Sequence, residues 1–173
     1  MWRRRHDWKP LRCLFRTSNC GYEMSHTNSL VTLQVTQTWR GKNSDGSILP
    51  LHWAITLRTG GSDNNPIGNR YNAIGNIDTF AYEKETNAII RNDNWRGSFD
   101  VGSISVDRIP EMESILSQLP IIRQDPNWNC QNWVWSGLRE LRWLGFAIRP
   151  RLTLKVLQNG LLGLLEDWEV GDI

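Results

Sequence analysis

A thiol, an imidazole and a carboxamide suffice to carry an acyl group from one acceptor to another. The thiol candidate is Cys130 in WNCQNW, residues 128–133. Asn129 is a good N-cap, and the run NCQNWVWSGLRELRWLG puts Cys130, Val134, Leu138 and Leu141 on one helical stripe that Gly145 stops. Cys130 then occupies a first helical turn, where unpaired backbone N–H groups and the positive end of the helix dipole favour thiolate over thiol. The same N–H groups can hold an oxyanion formed when the sulfur attacks a carbonyl. A lone cysteine is more commonly a small buried hydrophobe, so the chemistry depends on a partner.

Of the three histidines, His6 and His26 fall in a basic, aperiodic start, which leaves His52 in LHWAITL. Strand alternation puts Leu51, Trp53, Ile55 and Leu57 on one face and His52, Ala54 and Thr56 on the other, so His52 stands off the most apolar face with a small neighbour beside it. A third polar group usually orients the imidazole. Asn72 in RYNAIG fills that role if its strand turns back antiparallel in a register that sets it opposite His52; Asp78, further on, is the rival.

The elements that must position these groups follow from pattern and punctuation. LVTLQVTQTW (30–39) alternates and is rich in Val and Thr, GKNSDGS marks a turn, and LHWAITL (51–57) runs into the loop TGGSDNNPIGN. Further strands are expected near 70–75, 77–83, 86–91 and 98–106, and Pro110 opens a short helix, PEMESILSQL, that Pro120 ends. Strands first and helices last is the order of an α+β fold, an antiparallel sheet followed by the cysteine-bearing helix. Residues 1–27 read as a basic tail that cannot order itself, with Met24 as an alternative natural start, and residues 28–173 as one domain.

A histidine in an HWA strand, a polar residue on the next strand and NCQNWVWSGLREL on a late helix resemble the circularly permuted papain-like cysteine enzymes. That grouping includes permuted NlpC-type peptidases, lecithin:retinol acyltransferase-like proteins and PPPDE-type isopeptidases. The whole is also similar to a set of small fungal proteins carrying HWA and WNCQ motifs. The resemblance covers residues 30–150. It implies a permuted papain-like fold, Cys130 as nucleophile, His52 as base and Asn72 as orienter of a catalytic triad, and a thioester intermediate. Many acyltransferase-branch members carry a histidine in the third position, whereas this chain has none after His52; asparagine plays that part in ordinary papain-like enzymes. The expected activity is that of a cysteine hydrolase or acyltransferase, working on an acyl or peptide substrate with water, an amine or an alcohol as acceptor.

Composition narrows the classes. Ten tryptophans are many for 173 residues. Trp133 and Trp135 cannot both face one core, so Trp128 and Trp133, with Gln131 beside the sulfur, are the candidates for a substrate-binding wall. On that reading a non-catalytic module binding a peptide or lipid in the same groove is the alternative. Arg3, Arg4, Arg5, Lys9, Arg12 and Arg16 in the start give a third reading, RNA binding; a short charged tail more often stays solvated, and no nucleic-acid partner is expected. GNRYNAIGN lacks the lysine of a P-loop and the spacing of a dinucleotide fingerprint. One histidine, one cysteine and an asparagine do not make a zinc site, and no cofactor or metal is expected. Cys13, Cys20 and Cys130 are an odd number, two of them in the tail, which argues against a disulfide framework. No run is apolar enough to span a bilayer and the basic start leads into no signal-like stretch, so the expected location is the cytoplasm.

Overall fold

A computed structural model describes residues 29–173; the expectations for the basic tail, Met24, His6, His26, Cys13 and Cys20 lie outside them. The described residues form an α+β fold. Six antiparallel strands make one sheet in the order β4-β3-β2-β1-β5-β6. The strands are β1 (Leu30–Thr38), β2 (His52–Gly61), β3 (Pro66–Ile74), β4 (Ala81–Ile89), β5 (Trp95–Ser105) and the two-residue β6 (Ala147–Ile148). The helices are α1 (Ile109–Ser117), α2 (Cys130–Trp143) and α3 (Leu154–Val170). Three hairpins link β1 to β4, so β2, which carries His52, lies inside the sheet rather than at its edge.

Two expected boundaries move. The Gly-rich loop is shorter than its composition suggests: β2 continues to Gly61, whose φ of +77° suits glycine, and β3 resumes at Pro66 after a turn closed by the Asn65 amide donating to Ser62 Oγ at 3.1 Å. The expected strands 77–83 and 86–91 are one strand, β4. Residues 76–79 form an Asx-type turn instead, because the Asn76 side-chain oxygen accepts from the amides of Asp78 (3.0 Å) and Thr79 (3.2 Å).

The apolar face of β2 and β3 is where the helices dock. Trp53, Ile55, Leu57, Tyr71 and Ala73 are buried there with the α2 stripe, which comprises Cys130, Trp133, Val134, Gly137, Leu138 and Leu141. Gly137 allows the close approach: a Cβ there would stand 3.1 Å from the ends of Ile55, Leu116 and Leu119. The segment between α1 and α2 is laid on the β3–β4 turn by two bonds, Arg123 Nε to the Phe80 carbonyl (2.8 Å) and the Gln124 amide to the Ile77 carbonyl (2.9 Å). That fixes where α2 begins. Helix α3, to which sequence pattern assigned no element, packs on β5, with Gly160 against the Phe99 ring and the buried Gln37 donating to the Leu161 carbonyl at 2.6 Å.

Candidate active site

Helix α2 starts where capping chemistry puts it. The Asn129 side chain accepts from the Gln131 amide at 2.8 Å, and Asn132 Oδ1 accepts from the Asn129 amide at 2.9 Å, a reciprocal capping box. Cys130 is therefore the first helical residue. Two contacts tie this helix start to the beginning of β2. Gln131 Nε2 donates to the Leu51 carbonyl at 3.1 Å, and the Trp53 backbone amide lies near enough to the Cys130 sulfur to act on its titration. The helix that carries the cysteine thus packs against the residues on either side of His52, while the His52 side chain stands on the other face of β2 with Asn72, and no hydrogen bond joins it to Cys130.

Strand geometry explains how a sulfur reaches that amide. Pairing between β2 and β3 runs from Gly61–Pro66 to Ile55–Tyr71, and the first three residues of β2 and the last three of β3 lie beyond it. On β2 the backbone groups of Ile55 and Trp53 point to the same side, by alternation.

Asn72 lies on the same face as His52, one pleat away rather than directly opposite: the register that pairs Ile55 with Tyr71 brings Asn72 level with Ala54. The diagonal is short enough for a 2.7 Å bond between His52 Nε2 and Asn72 Oδ1. The other end of the amide decides the tautomer. Asn72 Nδ2 faces the Glu83 backbone carbonyl at 3.3 Å and the Glu83 carboxylate at 3.4 Å. Both are acceptors, so the NH₂ must point to them and the oxygen to the ring. An oxygen accepts, so His52 Nε2 carries the hydrogen and Nδ1 keeps its lone pair. Asp78 is not at this site: it sits exposed in the 76–79 turn.

The electrostatics depart from the expectation of a thiolate. Burial pushes the Cys130 thiol up from its ordinary value, outweighing the backbone amides of Trp53, Gln131 and Cys130 itself and the charge of Arg40, all of which act to lower it. Burial likewise lowers His52, ahead of the Asn72 bond that raises it; Arg40 and Arg70 lower it further and Glu83 raises it. The resting pair is a neutral thiol and a neutral imidazole. The helix start supplies donors but cannot offset the desolvation of a residue only 2 % exposed.

Trp128 and Trp133 are core residues. Trp133 is 1 % exposed and lies against Tyr82, ring centroids 5.9 Å apart, and Trp128 is buried with its ring edge-on to Phe80 at 5.0 Å. Neither walls an open groove, and Gln131 is engaged with Leu51. Trp135 is half-buried. Pattern reasoning passed over Glu83 and Arg40. Glu83 pairs with Asn72 across the β3–β4 ladder, an alignment visible only once the register is known. Among the described residues no group of three or more His, Cys, Asp or Glu side chains is arranged to hold a metal ion, and no helix is long and apolar enough to cross a membrane.

A family model described as Family of unknown function (DUF6540) matches residues 42–146. The chain belongs to this family. The DUF6540 segment contains the bonded set His52–Asn72–Glu83 and also Cys130 and Gln131, whereas Arg40 precedes it. No curated protein and no solved structure matches the chain.

Proposed function

We propose that this protein is a thiol-dependent acyl-transfer enzyme with a permuted papain-like arrangement, Cys130 the nucleophile, His52 the base and Asn72 the residue that orients the base. The observation that carries the reading is the His52–Asn72 bond, with an amide turned so that the ring presents a bare Nδ1. That ring is the first residue of a strand whose preceding residue, Leu51, is held by the start of the cysteine helix.

In this reading His52 Nδ1 takes the Cys130 proton as the sulfur attacks the carbonyl of an amide, ester or thioester. A C–S bond forms and the carbonyl π pair moves onto oxygen, toward which the backbone amide of Cys130 itself can donate, the amides of Gln131 and Asn132 being taken up by the Asn129 cap. Collapse of that intermediate expels the leaving group, which takes the proton from His52 and leaves an acyl-Cys130 thioester. Water, an amine or an alcohol then attacks, with His52 again the base, and the thiol is regenerated. A neutral starting pair suits this course, because charge develops only as the bond forms.

The burial of Cys130 favours a second reading, a binding module on the same fold in which the sulfur is packing alone. Labelling with a panel of acyl-donor probes, followed by mass spectrometry of the modified peptide, separates the two. The enzyme reading expects acylation at Cys130 that is lost in Cys130→Ser and slowed in His52→Ala; a folded protein acylated nowhere, or elsewhere, supports the binding module.

A further inference from the structure

Strand β1 ends at Thr38, which pairs with His52. Arg40 follows two residues later, and its Nη2 donates to the carbonyl of Gly75, the residue immediately after β3, at 3.1 Å. Strands β1 and β3 lie on opposite sides of β2. A side chain rooted beyond the end of β1 and bonded beyond the end of β3 has to cross the beginning of β2, where His52 stands. Arg40 is exposed, and the four ion pairs among the described residues join Arg58 to Asp63, Arg70 to Glu85, Lys84 to Glu113 and Arg108 to Glu111, leaving Arg40 outside them. Its one bond here goes to a neutral carbonyl, while a guanidinium has five N–H donors in a planar fork that matches a carboxylate or phosphate.

We propose that Arg40 is a specificity-determining residue that receives a carboxylate or phosphate group on the acyl donor, and so selects anionic substrates for the Cys130–His52 site. The inference rests on the acyl-transfer reading and names its substrate class. The charge of Arg40 is felt at both groups of that site, lowering His52 and Cys130 alike, which places the guanidinium within electrostatic reach of the reacting atoms. The Gly75 anchor holds the head group in place before substrate arrives, so little side-chain freedom is lost on binding.

Iodoacetate and iodoacetamide test this, because they deliver the same carbon to a thiol and differ in charge. The quantity read is the ratio of their rates at Cys130, followed by peptide mass spectrometry at fixed ionic strength. A charge-assisted contact predicts that Arg40→Gln lowers the iodoacetate-to-iodoacetamide ratio at least about tenfold and that Arg40→Lys, which keeps the charge but not the fork, restores it only in part. A ratio unchanged within about twofold in Arg40→Gln overturns the proposal. Should Cys130 resist both reagents, the acyl-transfer reading fails first, and the anion site is judged on the His52 ring resonances in NMR. Acetate and inorganic phosphate, titrated separately against sodium chloride at matched ionic strength, are expected to shift those resonances in the unsubstituted protein and not in Arg40→Gln, and the two titrations tell carboxylate from phosphate preference. Equal response with and without Arg40, or no response to either anion, removes the anion site.

Discussion

Asn72→Ala removes the side chain that sets the His52 tautomer, and the structure gives the size of the effect. Asn72 is 3 % exposed. The 2.7 Å bond to His52 Nε2 is the one good bond lost, since the contacts to Glu83 at 3.3 and 3.4 Å are long. A half-buried N–H left without its acceptor costs about 1–3 kcal/mol, and in a domain of this size each kcal/mol lowers Tm by about 2–4 °C. A fall of roughly 2–12 °C is expected. The loss depends on pH. Burial already holds His52 below the ordinary 6.5, and the Asn72 bond is what raises it, so its removal lowers the ring further. A depressed folded-state pKa gives stability that is present above the unfolded value and lost as pH falls through the folded one. Asn72→Ala widens that window, so its Tm deficit should be larger at pH 5 than at pH 8. Thermal melts at the two pH values, with long-range 1H–15N spectra of the ring, check both parts. A wild-type ring protonated on Nδ1 rather than Nε2, or a Tm deficit indifferent to pH, refutes the reasoning.

Three more outcomes follow from particular contacts. Gln131→Ala deletes the 3.1 Å bond to the Leu51 carbonyl; it should cost about 1 kcal/mol and hasten hydrogen exchange at the Trp53 amide, and unchanged exchange would mean the helix start is held by other means. The helix glycines should separate by the space around them: Gly163→Ala meets nothing within 4 Å and should gain about 1 kcal/mol. Gly137→Ala sets that gain against three contacts at 3.1 Å, and Gly160→Ala drives a methyl into the Phe99 ring, so Tm should fall in the order Gly163→Ala, Gly137→Ala, Gly160→Ala, with the last losing at least about 1–3 kcal/mol. Because burial raises the Cys130 thiol above its ordinary 9.0, its contribution is present below that pH and lost as pH rises through the folded value; the alkaline decline in Tm should be shallower in Cys130→Ser, and an identical decline would contradict the assignment.

The α+β class, β1, the Pro-opened α1 and the Asn129 cap were legible because each depends on neighbours in sequence: alternation, a proline at a helix start, an asparagine before an apolar stripe. The pairing of His52 with Asn72 was legible in outline, since both stand on one face in adjacent strands, but the register is set by where the β2–β3 turn closes, and TGGSDNNP holds too many turn formers to fix that point. The protonation of Cys130 was misjudged for a related reason. Helix-start donors can be read from sequence, whereas the desolvation that outweighs them comes from packing on β2 and β3. Helix α3 carries Asn159, Gly160 and Gly163 within its span, which weakens its local signal; Gly160 is there because the Phe99 ring occupies the space a side chain would need. Asp78 was a reasonable rival only while residues 77–83 were taken for a strand.

The central claim is that His52 serves as the base for Cys130, and the pH dependence of Cys130 alkylation by iodoacetamide tests it most directly. With a neutral imidazole taking the thiol proton, the rate should rise through the depressed pKa of His52, below 6.5, and level off in the neutral range. In His52→Ala that limb should vanish, leaving only a rise toward the elevated pKa of the isolated thiol, and the rate at pH 7 should fall by about 10²-fold or more. Superimposable profiles in the two proteins, or a Cys130 that resists alkylation at every pH at which the fold survives, would contradict the account.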